Sequence, residues 1–207
     1  MGEEIANSVL HGIGVLLAVA GLVLLTLKGA GYLPASRGGS LAVVSYVIFT
    51  AGMIVMFLMS TLYHAIQHIK AKNVFRILDH GAIYLFIAGT YTPFCLLALG
   101  GTLGWVLFSL EWVFAATGII LYSVNFKYIK KIEIGLYVFM GWAIVFGISR
   151  LFSSIPLVSF ILLFSGGLAY TLGIIWYVRK KSRGSHTVWH IFVLSGAAMH
   201  WFSVWFM

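Results

Sequence analysis

The feature that most constrains this chain is a succession of apolar stretches, each about as long as a membrane is thick. A helix needs about 20 predominantly apolar residues to cross the hydrocarbon core of a bilayer. Between charged or turn-forming breaks, the 207-residue sequence contains seven such stretches: 9–27, 41–64, 77–99, 103–125, 134–149, 157–178 and 187–206. The sequence therefore predicts an all-α membrane protein, a seven-transmembrane-helix bundle that forms one domain over residues 1–207.

The composition excludes the alternatives to a membrane protein. Hydrophobic residues make up 61% of the chain and charged residues only 9%, whereas about 25% of an average soluble protein is charged. A soluble fold of this size cannot hide so much apolar surface. We therefore exclude soluble, disordered and nucleic-acid-binding classes, and the net charge of +8 does not indicate a nucleic-acid partner. The single cysteine, Cys95, excludes an internal disulfide and a cysteine-rich metal site.

The basic residues predict how the helices are oriented. Ten of them follow the even-numbered stretches: Lys70, Lys72, Arg76, Lys127, Lys130, Lys131, Arg179, Lys180, Lys181 and Arg183. Only three follow the odd-numbered stretches: Lys28, Arg37 and Arg150. Because basic loops stay in the cytoplasm, this distribution predicts a cytoplasmic N-terminus and an external C-terminus. We expect a multi-pass protein of the plasma (inner) membrane.

Five polar residues from three separate stretches fall at the cytoplasmic side of the predicted bundle. Ser60 and His64 lie at the end of the second stretch, Asp79 begins the third, and His186 directly precedes the seventh, with His190 one turn further in. Ionisable groups within a membrane cost several kcal/mol, so they mark functional sites. Their convergence on one leaflet predicts a site there.

The spacing of these residues favours a metal site. His186 and His190 are four residues apart and share one helix face, as the paired histidines of helical zinc sites do. His64 would add a third nitrogen, which leaves the fourth position of a Zn²⁺ ion to water. Asp79 is then the candidate catalytic base for that water. Ser60, one turn before His64, is a candidate to orient a ligand or to donate to a substrate oxygen.

Other readings of the histidines stay open at this point. Two interfacial histidines beside a basic loop produce the same spacing as a metal-binding pair. His64 and His68 also form a competing pair, although His68 lies two residues before Lys70 and is expected in water. His80 adjoins Asp79 but points about 100° away on the helix, which favours a supporting or packing role.

Three further polar residues have no assigned partner in the sequence. His11 falls on the cytoplasmic side, where it either supports a ligand, lines the substrate site or packs against a neighbouring helix. Glu111 lies in the outer half of the fourth stretch and is a candidate for an ion or proton path, or for a protonated packing residue. His200 lies near the outer end of the seventh stretch, where an interfacial structural role is expected.

Several segments carry a resemblance to a known family. The chain contains STLYH at 60–64, LDHG at 78–81, AGTYTP at 88–93, HTVWH at 186–190 and NSVLHG at 7–12. In these segments it resembles the bacterial haemolysin III family. That family belongs with the progestin and adipoQ receptors, which include the adiponectin receptors, and is further related to alkaline ceramidases.

The resemblance implies specific roles for the polar residues. It implies zinc ligands at His64, His186 and His190, a water-holding carboxylate at Asp79, and a motif serine at Ser60. It also implies a cytoplasmic N-terminus, in agreement with the basic residues. The name haemolysin implies pore formation, but the polar residues of the spans are too sparse for a continuous wet channel.

The leading hypothesis is a zinc-dependent hydrolase of a membrane lipid, acting on a fatty-acyl amide or ester. Zinc would lower the pKa of water and polarise the scissile carbonyl. A sensor of membrane-lipid homeostasis with a structural zinc is the alternative, and a zinc with four protein ligands would favour it. A channel or cytolysin is the third hypothesis, and it would need a polar path that involves Glu111.

Overall fold

A computed structural model describes residues 2–33, 38–179 and 184–207, and these residues are almost entirely helical. The helices are α1 (Gly2–Gly29), α2 (Ser40–Ala65), α3 (Ile69–Pro93), α4 (Gly101–Ser123), α5 (Ile129–Trp142), α6 (Ile148–Ser154), α7 (Leu157–Val178) and α8 (Ser185–Phe206). A π-helical turn, Phe94–Leu99, extends α3, and a 3₁₀ turn, Ala143–Gly147, joins α5 to α6. Arg37, Lys180, Lys181 and Arg183, which entered the charge count, lie outside the described residues.

Within these described ranges, six helical segments are long and apolar enough to cross a membrane. They are Gly2–Gly29, Ser40–Ala65, Ile69–Leu99, Gly101–Ser123, Ile129–Ser154 and Leu157–Val178. The protein is therefore an all-helical, multi-pass membrane protein. Helix α8 has 22 residues, but its histidines make it less apolar than the others. The seventh crossing and the sides of the two termini stay predictions.

Several helices extend beyond the apolar stretches that predicted them. The first stretch begins at residue 9, whereas α1 begins at Gly2 and carries Glu3 and Glu4 in its first turn, where the helix dipole favours acidic groups. The third stretch begins at residue 77, whereas α3 begins at Ile69, after the exposed His68 ring accepts a hydrogen bond from the backbone of Ala71 (3.4 Å). Hydropathy locates the part of a helix that can lie in lipid, and charged turns can continue it into water.

The boundaries of the fourth and fifth stretches differ for related reasons. The predicted end at residue 125 is two residues late, because α4 ends at Ser123 and Asn125 adopts a positive φ of 53°. The fifth stretch, 134–149, is too short, because the helical segment runs over Ile129–Ser154. The turn between the third and fourth stretches lies where predicted. Gly100 and Gly101 have φ values of 57° and 56°, a region that glycine adopts without steric cost.

The helices form a bundle in which many polar side chains are buried. Consecutive helices pack against each other, and α8 also packs along α1. Large apolar side chains such as Leu16 (72% exposed) and Phe146 (76% exposed) face outward, whereas polar residues such as Asn7 and Thr90 are buried. This arrangement suits a protein whose outer surface contacts lipid.

Helices α1 and α8 run in the same direction and are linked at both ends. At one end, the Thr187 hydroxyl donates to the Asn7 side-chain oxygen (2.7 Å). At the other end, the Lys28 ammonium donates to the carbonyl oxygens of Val204 (3.1 Å) and Trp205 (2.6 Å). A basic group is favourable at a helix C-terminus, where carbonyl oxygens lack helical partners. The two contacts fix the first and last helices side by side.

The bundle contains an open cavity of about 810 Å³. Its wall begins at Glu3 and Glu4 near the start of α1 and reaches His200 on α8. His190 and His200 both line it, and ten residues of helix separate them by about 15 Å. The volume lies within the range of ligand-binding cavities in proteins.

Candidate metal centre and cavity

Three histidines meet where the end of α2 faces the beginning of α8. The Nδ1 or Nε2 atoms that His64, His186 and His190 can offer to a metal all lie within 4.8 Å of one another. Their ring centroids are 4.7 to 5.2 Å apart. His64 and His190 are buried and His186 is half-buried. His64 thus forms one cluster with two histidines that lie more than 120 residues later in the sequence.

The state of the ring nitrogens fits a metal ion. The Nε2 atoms of His64 and His190 are both buried and have no hydrogen-bond partner among the described residues. Buried polar atoms of this kind are rare in proteins and require an explanation. A metal ion bound by these nitrogens would satisfy them, and imidazole suits zinc as well as copper, iron and nickel. The three-histidine cluster could therefore hold a metal ion.

The opposite nitrogens of the same two rings have partners. The Nδ1 of His64 lies 3.0 Å from Oε2 of Glu4, which also accepts from the ammonium of Lys72 (3.0 Å). The Nδ1 of His190 lies 2.8 Å from Nε2 of His11. Hydrogen bonds at the far nitrogen fix the tautomer and the ring orientation of metal-binding histidines. Glu4 and His11 therefore direct the Nε2 atoms of His64 and His190 toward the cluster.

Asp79 and Ser60 lie beside the cluster on the wall of the same cavity. Ser60 is buried, and its hydroxyl lies near enough to the Asp79 carboxylate to interact with it. Within the described parts of the chain, the group of possible metal donors contains the three histidines and does not include Asp79. The carboxylate is thus placed near the donors without completing their coordination.

A second pair of a glutamate and a histidine, Glu133 and His80, lies on the wall of this cavity. Oε2 of Glu133 lies 3.2 Å from Nδ1 of His80. The His80 ring stacks on Tyr122, with ring centroids 4.6 Å apart, and the Tyr137 hydroxyl donates to the His80 carbonyl oxygen (3.0 Å). These contacts agree with a supporting or packing role for His80.

Comparison with known proteins identifies the family. The sequence model of a family described as haemolysin-III related matches residues 1–201. The chain belongs to this family. It is 41% identical to Hemolysin-3 from Bacillus cereus over 204 residues, 99% of this chain and 91% of that protein. It is 43% identical to a Hemolysin-3 homolog from Bacillus subtilis (strain 168) over 204 residues, 99% of this chain and 93% of that protein.

A more distant human relative extends the relationship. The chain is 29% identical over 167 residues to human monocyte to macrophage differentiation factor, and the match covers 76% of this chain and 68% of that protein. That relative belongs to the progestin and adipoQ receptor family. The resemblance found in the sequence motifs is therefore confirmed at the level of the family.

The remaining polar residues lie on the cavity wall, at the surface, or buried away from the cavity. His11 is buried against His190 and also lines the cavity, so its position agrees with each of the roles left open, namely support of a ligand, lining of the substrate site and packing against a neighbouring helix. His68 is exposed at the start of α3 and is not part of the three-histidine cluster. Glu111 is 1% exposed within α4 and does not line the large cavity. His200, expected at an interface, instead is buried on the cavity wall.

Two residues of the site escaped the sequence analysis. Glu4 stood before the first predicted span, and Glu133 stood one residue before the fifth. Because both lie outside the predicted spans, neither residue was assigned a role from the sequence. A helical projection of each flank would have placed Glu4 one turn before Asn7 and two turns before His11, on the face that α1 buries.

Proposed function

We propose that this protein is a metal-dependent hydrolase of a membrane lipid, with zinc bound by His64, His186 and His190. One observation carries the proposal. Two of the three imidazoles present buried nitrogens that have no partner among the described residues, and the Asp79 carboxylate on the same cavity wall lies outside the donor group. Three protein ligands and a free fourth position are typical of catalytic zinc, whereas structural zinc is closed by four.

The roles of the chain's own residues follow from their positions. When bound, zinc would polarise the scissile carbonyl as a Lewis acid and lower the pKa of a water molecule to about 7. Asp79 accepts the proton of the attacking water and returns it to the leaving amine or alcohol. Ser60 shares the cavity wall with Asp79 and would donate to its carboxylate and so fix its direction. Water adds across the amide or ester bond, and the products are a fatty acid and the released amine or alcohol.

The cavity supports a lipid substrate. Beside the histidines its wall is polar, and farther along it includes the apolar side chains of Met56, Phe86 and Val193. A polar end next to an apolar passage of about 15 Å matches a headgroup linked to a long acyl chain. The substrate we propose is a membrane lipid with a fatty-acyl amide or ester bond placed at the histidines.

The location of the protein is part of the same proposal. The ten-to-three distribution of basic residues supports a cytoplasmic N-terminus, an external C-terminus and seven crossings. The histidines would then lie at the inner leaflet of the plasma membrane. The channel hypothesis has less support, because Glu111 does not line the large cavity.

The substitution Asp79→Asn tests the proposal because it keeps the shape of the side chain and removes its basicity. We expect zinc to stay bound and lipid turnover to fall by roughly 10²-fold or more. His64→Ala should instead lose zinc, since it removes a donor nitrogen. The comparison uses purified protein, a metal assay and a panel of ceramide-like lipids and glycerolipids.

Each result of this comparison has a definite meaning. If Asp79→Asn loses zinc as completely as His64→Ala does, Asp79 is a direct ligand and the catalytic-base assignment is wrong. If the wild-type protein hydrolyses nothing in the panel and its zinc has four protein ligands, the hydrolase proposal fails. A lipid-homeostasis sensor with structural zinc would then replace it.

A further inference from the structure

The cavity has a second polar end, far from the three histidines. Here the hydroxyl of Tyr170 and the Nδ1 of His200 are both buried, and neither has a hydrogen-bond partner in the described chain. Both residues line the cavity, and their ring centroids are 5.4 Å apart. His200 is 8% exposed. Unpaired polar atoms in such a place cost free energy unless something binds them.

Two glycines make room for these rings in a reciprocal arrangement. Gly166 lies one turn before Tyr170 on α7, and Gly196 lies one turn before His200 on α8. A Cβ on Gly166 would collide with the His200 imidazole, and a Cβ on Gly196 would lie 2.8 Å from the Tyr170 ring. Each helix therefore gives up a side chain to accommodate the polar ring of the other. Two apolar residues would fill this interface without leaving unpaired atoms.

Other polar groups at this end are satisfied within the protein. The Tyr91 hydroxyl donates to the Gly141 carbonyl oxygen (3.0 Å) and accepts from the Ile144 backbone N–H (2.7 Å). The Thr90 hydroxyl donates to the Phe86 carbonyl oxygen (2.8 Å). Among the described residues that line this end of the cavity, the unpaired buried atoms therefore belong to Tyr170 and His200 alone; the unpaired Nε1 of the neighbouring Trp201 does not face the cavity.

The chemistry of the pair defines what it can bind. Nε2 of His200 donates to the Leu163 carbonyl oxygen (3.1 Å), so Nδ1 of the neutral ring is an acceptor. The Tyr170 hydroxyl can donate and accept. Together they offer one acceptor and one donor to a single guest, which is the pattern that a hydroxyl group complements.

We propose that Tyr170 and His200 bind a hydroxyl group in the middle of the acyl chain of the lipid held in this cavity. The proposal rests on the proposed function, which places a lipid headgroup at the three histidines. His190 and His200 are about 15 Å apart along α8. An extended alkyl chain advances about 1.3 Å per carbon, given a C–C bond of about 1.5 Å. Tyr170 and His200 therefore lie beside the acyl chain at about carbon 12.

Competition between fatty acids tests this site directly. The full-length protein in lipid nanodiscs is loaded with radiolabelled stearic acid, which is displaced by stearic, 12-hydroxystearic or 2-hydroxystearic acid. We expect 12-hydroxystearic acid to displace the label at a concentration about fivefold lower than stearic acid. The 2-hydroxy isomer has the same polarity but places its hydroxyl beside the carboxylate, so it should behave like stearic acid.

Three variants locate the effect. Tyr170→Phe removes only the hydroxyl, and His200→Gln keeps a donor for the Leu163 carbonyl oxygen while it removes Nδ1. Each should abolish the advantage of 12-hydroxystearic acid and leave stearic acid unchanged. Tyr84→Phe is the matched control, because the buried hydroxyl of Tyr84 also lacks a hydrogen-bond partner in the described part of the chain but does not line the cavity. It should keep the fivefold difference.

The outcomes separate this inference from the proposed function. Equal displacement by stearic and 12-hydroxystearic acids in the wild-type protein would overturn the hydroxyl site and leave the lipid cavity intact, with water as the guest of Tyr170 and His200. A difference that survives Tyr170→Phe would also overturn it, even if His200→Gln failed to fold. If the protein binds no fatty acid at all, the lipid cavity itself is wrong, and the proposed function falls together with the inference.

Discussion

The same chemical pair, a glutamate with a histidine, occurs twice on the wall of this cavity. Glu4 holds Nδ1 of His64 at 3.0 Å, and Glu133 holds Nδ1 of His80 at 3.2 Å. The exposed fractions of the carboxylate side chains differ, at 45% for Glu4 and 8% for Glu133. The two imidazole rings also differ in what surrounds the side that faces away from the glutamate. This second difference decides whether the pair can contribute to a metal site.

Beyond its hydrogen bond, the His64 ring faces two other imidazoles, and its Nε2 has no partner in the described chain. The His80 ring lies against the face of Tyr122. A glutamate orients a histidine in both places, but only His64 is oriented toward other donors. The comparison teaches that a carboxylate–histidine pair prepares a metal site only where further nitrogens converge on it.

Removal of the other donors should have the largest effect. In the double variant His186→Ala/His190→Ala, only His64 stays in the cluster, and one imidazole does not hold zinc at micromolar concentrations. We expect about one zinc per chain in the wild-type protein and none in the variant, measured by elemental analysis after purification. His68→Ala is the control, because His68 is exposed and outside the cluster. Zinc retained at full stoichiometry by the double variant would remove the assignment.

Glu4→Gln should have the next largest effect, because it weakens the orientation of His64 and leaves all three donors in place. Loss of such a supporting carboxylate typically costs 10- to 100-fold in metal affinity. Competition with a chelator of known affinity measures this change. An unchanged affinity would mean that the contact between Glu4 and His64 has no part in metal binding.

Glu133→Gln should leave metal affinity unchanged and lower stability instead. The amide still offers an acceptor to His80, but the charge of a buried pair is lost, which costs about 1 kcal/mol. For a chain of this length the midpoint of thermal unfolding should fall by about 2–4 °C. Thermal unfolding in detergent, followed beside the chelator assay, measures both quantities. A loss of metal would show that the two glutamate–histidine pairs act alike.

Lys72→Met should have the smallest effect. Lys72 lies 3.0 Å from Glu4 in a half-exposed ion pair, and such pairs contribute about 0–1 kcal/mol. Metal affinity should change by less than about fivefold, and high salt should reduce the difference further. A larger loss in the chelator assay would mean that Lys72, rather than His64, fixes the position of the Glu4 carboxylate.

The helices could be predicted from the sequence because their outer faces must be apolar along their whole length in lipid. The Gly100–Gly101 turn was equally predictable, since little else interrupts that apolar run. The helix ends were not predictable in the same way. The extension of α3 back to Ile69 depends on a cap supplied by His68, and hydropathy does not register a cap.

The candidate site was predictable where spacing and topology were sufficient. His186 and His190 share a face because they are four residues apart, and the charge distribution placed His64 at the same side. The partners of these residues were less accessible. His11 touches His190 across 179 residues of sequence, and periodicity along one helix does not reveal which neighbour it meets. The inward direction of His200 depends likewise on Gly166 of another helix.

The side-by-side placement of α1 and α8 also sets the earliest time at which the protein can assemble during its synthesis. His190, the partner of His11, follows it by 179 residues in the sequence. At about 5–20 residues per second, translation of the intervening chain takes roughly 10 to 35 s. Until then α1 has no lateral neighbour where α8 will lie, and the ammonium of Lys28 has no carbonyl oxygens of α8 to bind. The wall of the cavity is therefore completed only after α8 has been synthesised, and a chain released before α8 would lack two of the three histidines.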